Sequence, residues 1–465
     1  MRSSGPNCTC RIQAALDGSD GRFSRRSGTF REGAAASVRR IGRRIAISTS
    51  IAGFALVAGC FPSPVDTAPT VASSDAFVRA PYVQNVSHDA GTIVWMTGEG
   101  SRDSFRYRTV DSTGEGAQSR GDSIRWRSVA IEDRGRGVRA ARVAGLPAGA
   151  AIEYEVLTEG ISSGIHSFRT APIPGPAGSV RVLLFGDSGW GSEGQIELAG
   201  RMERLESDLS IHVGDIAYND GSETDFTERH FRVYRRMLAG QPFFPSVGNH
   251  DVRADAGASY DRAFDWPGRD AGRRYYAFRW GTVLFLALDT SSKTADVEGL
   301  WAGTGPQFDW LEEQLRAASV DSTVEWTIVF GHHPPYSHAV GISGHGQNRD
   351  LRRNLTPLFD RYGVDLVASG HDHHYERLRP VREGRPVPDG CGPIYIVQGA
   401  GGASRYARHV DSSQFTAFAS RAYSFTELTV EGDRLRGRTI GTDGDVIDQF
   451  LIRPYAGPDT SGCGD

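Results

Sequence analysis

Lysine, cysteine and long apolar runs are all scarce in this chain of 465 residues. Lys293 is the only lysine, so arginine carries almost all of the positive charge, a bias typical of a GC-rich genome. The formal net charge is -4, and the part expected to fold contains no block of basic residues, which argues against nucleic acid as a main partner. Hydrophobic residues make up 39% and charged residues 23%, the balance of a globular protein, and the length predicts two folded units with processing segments.

A positively charged segment precedes a short apolar run near the N-terminus. Pairs of arginines at 39–40 and 43–44 come before the apolar run at 45–58, a pattern typical of a secretory signal. The run is shorter than the roughly 20 apolar residues that a membrane-spanning helix needs. It leads into LVAGC, which resembles a bacterial lipobox and predicts a lipid anchor on Cys60. The alternative is an ordinary signal peptide followed by a cysteine without that role.

Residues 38–60 are therefore predicted to be a signal peptide with a lipobox. Residues 1–37 lie upstream of it and are expected to be a misassigned leader, with translation beginning near Val38. The mature protein is expected in the periplasm or on the outer surface, with membrane contact only through the anchor on Cys60.

Cysteine usage then predicts one disulfide. Cys8 and Cys10 fall in the leader and Cys60 is the anchor, so Cys391 and Cys463 are the cysteines left in the mature chain. In an oxidising compartment such a pair predicts a disulfide, and two free thiols are the alternative.

The mature chain begins with a linker and a strand-rich region. Residues 61–77 are rich in Pro, Ser, Thr and Ala without periodicity, which predicts a tether. Residues 78–172 carry short alternating apolar runs between turn residues, which predicts an all-β sandwich. The alternation is clearest at 92–96, 104–108, 152–156 and 166–169. A stiff, proline-rich linker at 172–176 follows the sandwich.

The second domain, residues 179–455, is predicted to be α/β because apolar runs alternate with helix-like stretches. Those stretches are 194–206, 226–238, 306–318 and 348–362. Three other segments are expected to be loops that set substrate specificity: 220–228, 251–274 and 291–305. Residues 456–465 are a C-terminal tail.

Five apolar runs in the second domain end in a glycine that is followed at once by a potential metal ligand. The junctions are Gly186-Asp187, Gly214-Asp215, Gly248-Asn249-His250, Gly331-His332-His333 and Gly370-His371-Asp372-His373. Because α/β proteins bind ligands beyond the carboxyl ends of their strands, we expect these side chains to converge. Glycine is expected at each junction because it permits positive φ and a close approach of the backbone to an ion. A lone Gly-Asp after a strand is usually a turn, but five junctions in one domain predict a shared site.

The ligand types indicate the metals and the reaction. Carboxylates, an amide oxygen and imidazoles favour Fe, Zn or Mn over a thiolate site or an all-oxygen site for Ca or Mg. The potential ligands exceed the capacity of one ion and suit two ions roughly 3.5–4 Å apart that share a carboxylate. Two such ions would neutralise phosphate oxygens and lower the pKa of a bridging water, which gives a nucleophile. His212 lies within its strand and is expected to be structural, whereas His333 and His374 are expected to support neighbouring ligands or to be structural.

The five junctions, in this order, resemble the motifs of the metallophosphoesterase superfamily, the calcineurin-like phosphoesterases. Tyr218, three residues after Asp215, stands where the purple acid phosphatase branch has a tyrosine. The stretch 370–377, which ends in Tyr-Glu-Arg, also resembles a motif of that branch. Residues 79–96 resemble the fibronectin type III-like N-terminal domain of that branch. The chain departs from the family at Asp251, where many members have Glu, and at 337–347, which matches poorly.

The resemblance implies a fold and a role for each residue. The implied fold is a fibronectin-like sandwich followed by a four-layer α/β/β/α sandwich, whose two packed sheets hold the site at their shared edge. It implies an Fe(III) site of Asp187, Asp215, Tyr218 and His373, and a site for a divalent ion (Fe, Zn or Mn) of Asp215, Asn249, His332 and His371. His250 is implied to hydrogen-bond the phosphate from outside the ligands. His338 and His345 lie where the family has histidines that help the leaving group, and the choice between them, or of neither, stays open.

The expected function is that of an exported binuclear acid phosphatase that hydrolyses phosphate monoesters. In the expected mechanism, a metal-bound hydroxide would attack phosphorus and a histidine would protonate the departing alkoxide. One alternative is a phosphodiesterase or nucleotidase on the same centre, distinguished by the ratio of activities on monoester and diester substrates. Another is a non-catalytic surface protein that binds metal or a glycan, which bound metal without turnover would favour.

Overall fold

The computed structural model describes residues 76–110, 125–175, 178–339, 345–405, 413–455, 457 and 463. The predicted leader and the signal peptide with its Cys60 anchor lie outside these residues, as do nearly all of the 61–77 linker and most of the C-terminal tail. Within the described ranges, no helix has the length and apolar character needed to cross a membrane. The described residues all belong to one structural unit, Val71–Asp465.

The N-terminal region is a two-layer β-sandwich, which confirms the predicted all-β fold. Its strands are β1 (Phe77–Gln84), β2 (Ala90–Thr97), β3 (Asp103–Val110), β4 (Glu132–Gly135), β5 (Val138–Ala144), β6 (Ala151–Thr158), β7 (Ile161–Ser162) and β8 (His166–Arg169). β1, β2, β5 and β4 form one layer, and β3, β6, β7 and β8 form the other. In β6, Ile152, Tyr154 and Val156 are buried at every second position and share a core with Trp95 of β2.

The second region alternates strands and helices, as predicted. Its strands are β9 (Val180–Phe185), β10 (Leu209–His212), β11 (Phe243–Pro245), β12 (Tyr276–Trp280), β13 (Val283–Ala287), β14 (Trp326–Phe330), β15 (Leu366–Ser369), β16 (Tyr375–Leu378), β17 (Val381–Arg382), β18 (Arg385–Pro386), β19 (Ile394–Gln398), β20 (Thr416–Ser420), β21 (Ser424–Glu431), β22 (Arg434–Gly441) and β23 (Val446–Ile452). Its helices are α1 (Glu193–Met202), α2 (Glu223–Phe226), α3 (Arg235–Leu238), α4 (Ala258–Ala263), α5 (Ala295–Ala302), α6 (Gly305–Ala318) and α7 (Arg349–Tyr362), with a π-helical turn at Thr227–Phe231 and a 3-10 turn at Arg269–Ala271.

The central strands of the seven-stranded sheet, β13, β14, β15 and β19, are buried on both faces. The strand order of this sheet is β12-β13-β14-β15-β19-β16-β20. Along β13, Leu284 and Leu286 pack with α5, α6 and α7, whereas Phe285 and Ala287 join the core shared with the other large sheet. A strand covered on both faces has apolar residues at consecutive positions, and β13 has this pattern. On the far side, α1 joins the same core through buried side chains, which gives two packed sheets with helices outside.

The other large sheet continues from the second region into the sandwich. Its order is β23-β22-β21-β9-β10-β11-β1-β2-β5-β4. β1 and β11 are neighbours and run parallel, with Gln84 opposite Phe243. The sequence pattern predicts two units connected by a linker, and the structure also joins them through this shared sheet.

Buried polar side chains reinforce the junction between the two regions. Arg79 of β1 donates from Nε to Thr227 Oγ1 at 2.9 Å and forms an ion pair with Glu223. The hydroxyl of Tyr82 donates to the carbonyl of Ala263 at 2.7 Å. The N-terminal region therefore supports the segments that carry α2 and α4.

The segments expected to be loops each contain a short helix. α2 lies within 220–228, α4 within 251–274 and α5 within 291–305. α5 packs through Leu300 into the core formed with α6 and α7, so tertiary contacts rather than local sequence stabilise it.

Cys391 and Cys463 form a disulfide with their Cα atoms 5.5 Å apart, which confirms the predicted pairing. The Cys463 carbonyl also accepts a hydrogen bond from Arg382 Nη2 at 3.0 Å. The disulfide thus fixes a point of the C-terminal tail to the second region.

Candidate metal centre

The five glycine–ligand junctions meet at one place, although their strands belong to two sheets. Asp187, Asp215 and Asn249 follow β9, β10 and β11 of the ten-stranded sheet. His332 and His371 follow β14 and β15 of the seven-stranded sheet. The site therefore lies where the edges of two packed sheets face each other, as the resemblance implies.

Three of the predicted ligands have a left-handed backbone. The φ angles of Asp187, Asp215 and His371 are 52°, 54° and 69°. Such conformations cost on the order of 1–3 kcal/mol in L residues and cluster at functional sites. The expectation that the junction glycines supply positive φ holds for Gly214, with φ of 87°, but is wrong for the other four.

Most of those other glycines are required by close packing instead. A Cβ on Gly248 would lie 2.0 Å from the amide nitrogen of Asp215. One on Gly370 would lie 2.4 Å from Asp187 Oδ2. The absence of a side chain at these positions lets strand ends from the two sheets approach closely enough to share one site.

Asn249, His332 and His371 form one group of converging ligand atoms. Asn249 Oδ1 lies 3.1 Å from His332 Nε2 and 3.0 Å from His371 Nδ1. Asp215 Oδ1 lies 3.4 Å from the same His332 Nε2. His332 Nδ1 is 2.9 Å from the carbonyl of Val213 and donates to it, which leaves Nε2 as the nitrogen able to bind a metal.

Asp187, Tyr218 and His373 form a second group. The Tyr218 hydroxyl lies 3.0 Å from both Asp187 Oδ1 and His373 Nε2. His373 Nδ1 donates to the carbonyl of Ser404 at 2.7 Å, so Nε2 again faces the site. Asp187 Oδ2 accepts from the amide of His371 at 2.9 Å and links the two groups.

The electrostatics of these residues fit a binuclear metal centre. Ligand atoms of Asp187, Asp215 and His332 lie within 4.8 Å of one another, and all three residues are buried. Burial raises the pKa of Asp187 well above its ordinary value, opposed by His332 and reinforced by Asp215. Burial lowers the pKa of His332, but the carboxylates of Asp215 and Asp187 outweigh burial and raise it to about 10. Buried carboxylates this close favour positive charge among them, and bound cations supply that charge.

His250 borders the ligand groups. Its Nδ1 donates to the Asn219 carbonyl at 2.5 Å, and its Nε2 lies 3.9 Å from Asp215 Oδ2. Its side chain is 20% exposed, whereas that of Asp215 is buried. This is the position of a group that can contact a substrate next to the ligands.

His338 and His345, the two candidates for assisting the leaving group, lie in different surroundings. The ring of His345 stacks on that of His371, with centroids 4.5 Å apart, and its Nδ1 lies 3.2 Å from Asp372 Oδ1. His338 instead donates from Nδ1 to Glu376 Oε1 at 2.7 Å. His345 therefore lies next to the candidate ligand His371, whereas His338 is held by the buried carboxylate of Glu376.

Asp251 is a positioning residue that the sequence pattern marked only as a departure from the family. Its Oδ1 accepts from the amides of Ile216 and Ala217 at 2.8 and 3.0 Å. Its Oδ2 accepts from the amide of Gly248 at 2.8 Å. One buried carboxylate thus holds together the two loops that carry Asp215 and the Asn249 junction.

The remaining histidines of the motifs have contacts that suit structural or supporting roles. His212 Nε2 lies 2.9 Å from Ser188 Oγ, and burial lowers the pKa of His212 to about 3. His333 Nδ1 lies 3.2 Å from Ser291 Oγ, beside the ligand strands. His374 Nε2 lies 3.4 Å from a Glu376 oxygen.

Two family models match the second region. Residues 180–375 match the calcineurin-like phosphoesterases, and residues 392–449 match the iron/zinc purple acid phosphatase-like protein C. The first match contains every predicted metal ligand.

Comparison with individual phosphoesterases agrees with the family matches. The chain is 27% identical over 305 residues to acid phosphatase type 7 of Homo sapiens, covering 60% of this chain and 69% of that protein. It is 25% identical over 328 residues to a nucleotide pyrophosphatase/phosphodiesterase of Hordeum vulgare, covering 62% and 86%. A solved purple acid phosphatase from yellow lupin (Lupinus luteus) seeds has a TM-score of 0.68 at 20% identity, covering 83% of this chain and 77% of that one, which shows the fold.

Proposed function

The chain belongs to the calcineurin-like phosphoesterases, in the purple acid phosphatase-like branch, and we propose that it is an exported acid phosphatase that hydrolyses phosphate monoesters at a binuclear metal centre. Hydrolysis of phosphate esters is the activity that the family and the acid phosphatase relatives support. The observation that carries the proposal is the convergence of two carboxylates, a phenol, an amide oxygen and three imidazoles from two sheets.

The proposed ligands fall into the two groups described above. Asp187, Asp215, Tyr218 and His373 would hold Fe(III), and Asp215, Asn249, His332 and His371 would hold a divalent ion (Fe, Zn or Mn). Ions bound there would supply positive charge for the phosphoryl oxygens and would lower the pKa of a water, which is the chemistry that makes water a nucleophile. The phenolate of Tyr218 is a hard donor that favours a trivalent iron.

Side chains at the border of the centre bind and protonate the substrate. His250 is positioned to donate from Nε2 to a phosphate oxygen, because its Nδ1 is committed to the Asn219 carbonyl. His345 is our choice for the group that protonates the leaving oxygen. Asp372, which is buried, accepts from His345 Nδ1 and from the Gly346 amide at 3.0 Å, and so directs the opposite edge of the imidazole away from itself.

Export and lipid anchoring are part of the proposal and rest on the N-terminal sequence pattern. The basic segment, the short apolar run and the lipobox ending at Cys60 support a location in the periplasm or on the outer surface. The disulfide between Cys391 and Cys463 suits an oxidising compartment.

The test is a metal analysis of the purified protein combined with a panel of phosphate esters. We expect two metal ions per chain, including iron, and a higher kcat/KM on 4-nitrophenyl phosphate than on bis(4-nitrophenyl) phosphate. The reverse ratio would establish the phosphodiesterase alternative, which the relationship to the Hordeum vulgare enzyme favours. Two bound ions with no turnover of either ester would refute a hydrolase and leave a metal-binding surface protein.

A further inference from the structure

Trp190 is a large aromatic side chain that stays exposed beside the metal centre. It is 40% exposed, whereas Trp95, Trp266 and Trp326 are buried in the core. Its ring contacts the ring of Tyr218 edge to face, with centroids 5.2 Å apart. The indole therefore contacts the ring of a proposed iron ligand directly and has part of its surface open to solvent.

The turn that carries Trp190 is held in place by its neighbours. A Cβ on Gly189 would lie 1.8 Å from the carbonyl oxygen of Ile216, so this turn packs directly on the loop of Asp215. The Trp190 amide donates to the Ser188 carbonyl at 2.8 Å, and the Gly191 amide donates to Gln195 Oε1 at 2.7 Å. The exposed indole is thus presented by an ordered turn next to α1.

Trp190 and His250 lie around the same phenol ring. The His250 ring contacts Tyr218 with centroids 4.4 Å apart, and His250 borders the proposed phosphate position. Tyr218 itself is buried, so Trp190 and His250 are the rings that continue outward from it toward solvent. Trp190 and His250 therefore form an aromatic border on the solvent side of Tyr218, next to the proposed phosphate position.

An exposed, ordered indole is a stacking surface. Aromatic rings pair with one another in offset or edge-to-face arrangements, and this preference does not depend on a specific hydrogen-bond pattern. Aliphatic leaving groups such as glycerol have no π face and gain little from such a surface. The chemistry at this border therefore discriminates between two classes of ester.

We propose that Trp190 is a specificity-determining residue that stacks against the leaving group of phosphate esters whose alcohol carries an aromatic ring. The inference rests on the proposed phosphatase function and deepens it by naming the substrate class. Because the stack forms in the bound substrate and persists in the transition state, its loss raises KM more than it lowers kcat.

The experiment compares phenyl phosphate with glycerol 2-phosphate on the metal-loaded enzyme and its variants. Trp190→Ala is expected to lower kcat/KM for phenyl phosphate about tenfold, mainly through KM, and to lower that for glycerol 2-phosphate less than about threefold. Trp190→Phe should recover most of the loss, because it retains an aromatic face. Val320→Ala is the matched control, since Val320 is an exposed apolar residue, 81% accessible, on the turn after α6.

The outcomes separate the role of Trp190 from the function of the centre. An equal loss on both esters in Trp190→Ala would overturn the proposal, because it would make the indole a brace for Tyr218 rather than a substrate contact. Unchanged kinetics on both esters would overturn it as well. Absence of turnover of both esters by the unaltered, metal-loaded protein would instead refute the phosphatase function itself.

Discussion

Single hydrogen bonds to backbone carbonyls decide which histidine nitrogens face the centre. His332 and His373 each donate from Nδ1, to Val213 and Ser404 respectively, and turn Nε2 inward. His371 instead faces Asn249 with Nδ1. These carbonyls lie on other segments of the chain, so the motif predicts a histidine as ligand without predicting which nitrogen binds.

Asp215 and His250 should separate metal binding from catalysis. Asp215→Asn removes the charge of the carboxylate proposed to bridge both ions, so we expect loss of metal and a fall in kcat of several orders of magnitude. His250→Ala should retain both ions and lose about 10²–10³ in kcat, because its hydrogen bond acts mainly in the transition state. Metal content by elemental analysis and steady-state kinetics measure both effects. Two bound ions and near-normal turnover in Asp215→Asn would contradict the assignment.

Tyr218 should give the protein its colour, and only when iron is bound. Burial, followed by the carboxylates of Asp187 and Asp215, raises the pKa of Tyr218 well above its ordinary value, so the metal-free protein keeps a neutral phenol at neutral pH. Fe(III) loading should produce a visible phenolate-to-iron absorption band, and chelation should abolish it. Tyr218→Phe should lose the band while circular dichroism shows the fold unchanged. A band that survives this substitution would exclude Tyr218 as the ligand, and an active enzyme with two divalent ions and no iron would exclude the purple type.

The residue types of the candidate site could be predicted from the sequence, but the hydrogen bonds that position those residues could not. Short motifs predicted the candidate ligands because each of the five junctions contains a strand end, a glycine and a donor within a few positions. The choice between His338 and His345 depends on Glu376 and Asp372, which lie 38 and 27 residues further along the chain, respectively. The hydrogen bonds of Asp251 likewise depend on backbone amides such as that of Ile216, which only the folded chain brings close to the Asp251 carboxylate.

At the scale of elements, the strands and long helices followed from periodicity, whereas the short helices did not. The long helix α7 has an Asn348 cap that accepts from two backbone amides, so its start is encoded locally. α5 has no side-chain cap hydrogen bond and contains Gly299, which weakens a helix. Its stability comes from packing against α6 and α7, which no local pattern reports.

β16 contains a buried carboxylate that should make the fold sensitive to acid. Glu376 accepts from the amide of His338 at 3.0 Å and from Thr416 Oγ1 at 2.7 Å. Burial raises its pKa, but hydrogen bonds from His338 and His374 outweigh burial and lower the pKa to about 2. The resulting stabilisation is present above the ordinary pKa of about 4.5 and is lost as pH falls from there toward 2.

Glu376→Gln should therefore be less stable than the unaltered protein at pH 7, by on the order of 3 kcal/mol, and the difference should shrink below pH 4.5. Urea unfolding of both metal-free proteins at pH 7, 5, 4 and 3.5 measures the difference in their free energies of unfolding. Comparison at each pH removes the contribution of the other carboxylates, which both proteins share. A difference that stays constant over this range would show that the charge of Glu376 does not contribute.

At the scale of the whole molecule, the continuous sheet is the feature that sequence patterns missed. Composition and turn signals correctly place an all-β region before an α/β region, and the proline-rich stretch between them reads as a linker. The pairing of β1 with β11 joins residues about 160 positions apart at a single register position. Local periodicity predicts that a strand exists, but it does not identify the neighbour of an edge strand.

This shared sheet predicts that the second region does not fold alone. Removing the N-terminal region leaves β11 as an edge strand and uncovers Phe231, which is 4% exposed and contacts the ring of Tyr82 at a centroid distance of 4.3 Å. A protein of residues 178–465 should therefore aggregate or lack a cooperative urea transition, and residues 76–175 supplied as a separate chain should restore solubility. Size-exclusion chromatography and urea unfolding of the two proteins, alone and co-expressed, measure this. A monomeric 178–465 protein that unfolds cooperatively and retains full activity would mean that the two regions are independent domains whose sheets merely adjoin.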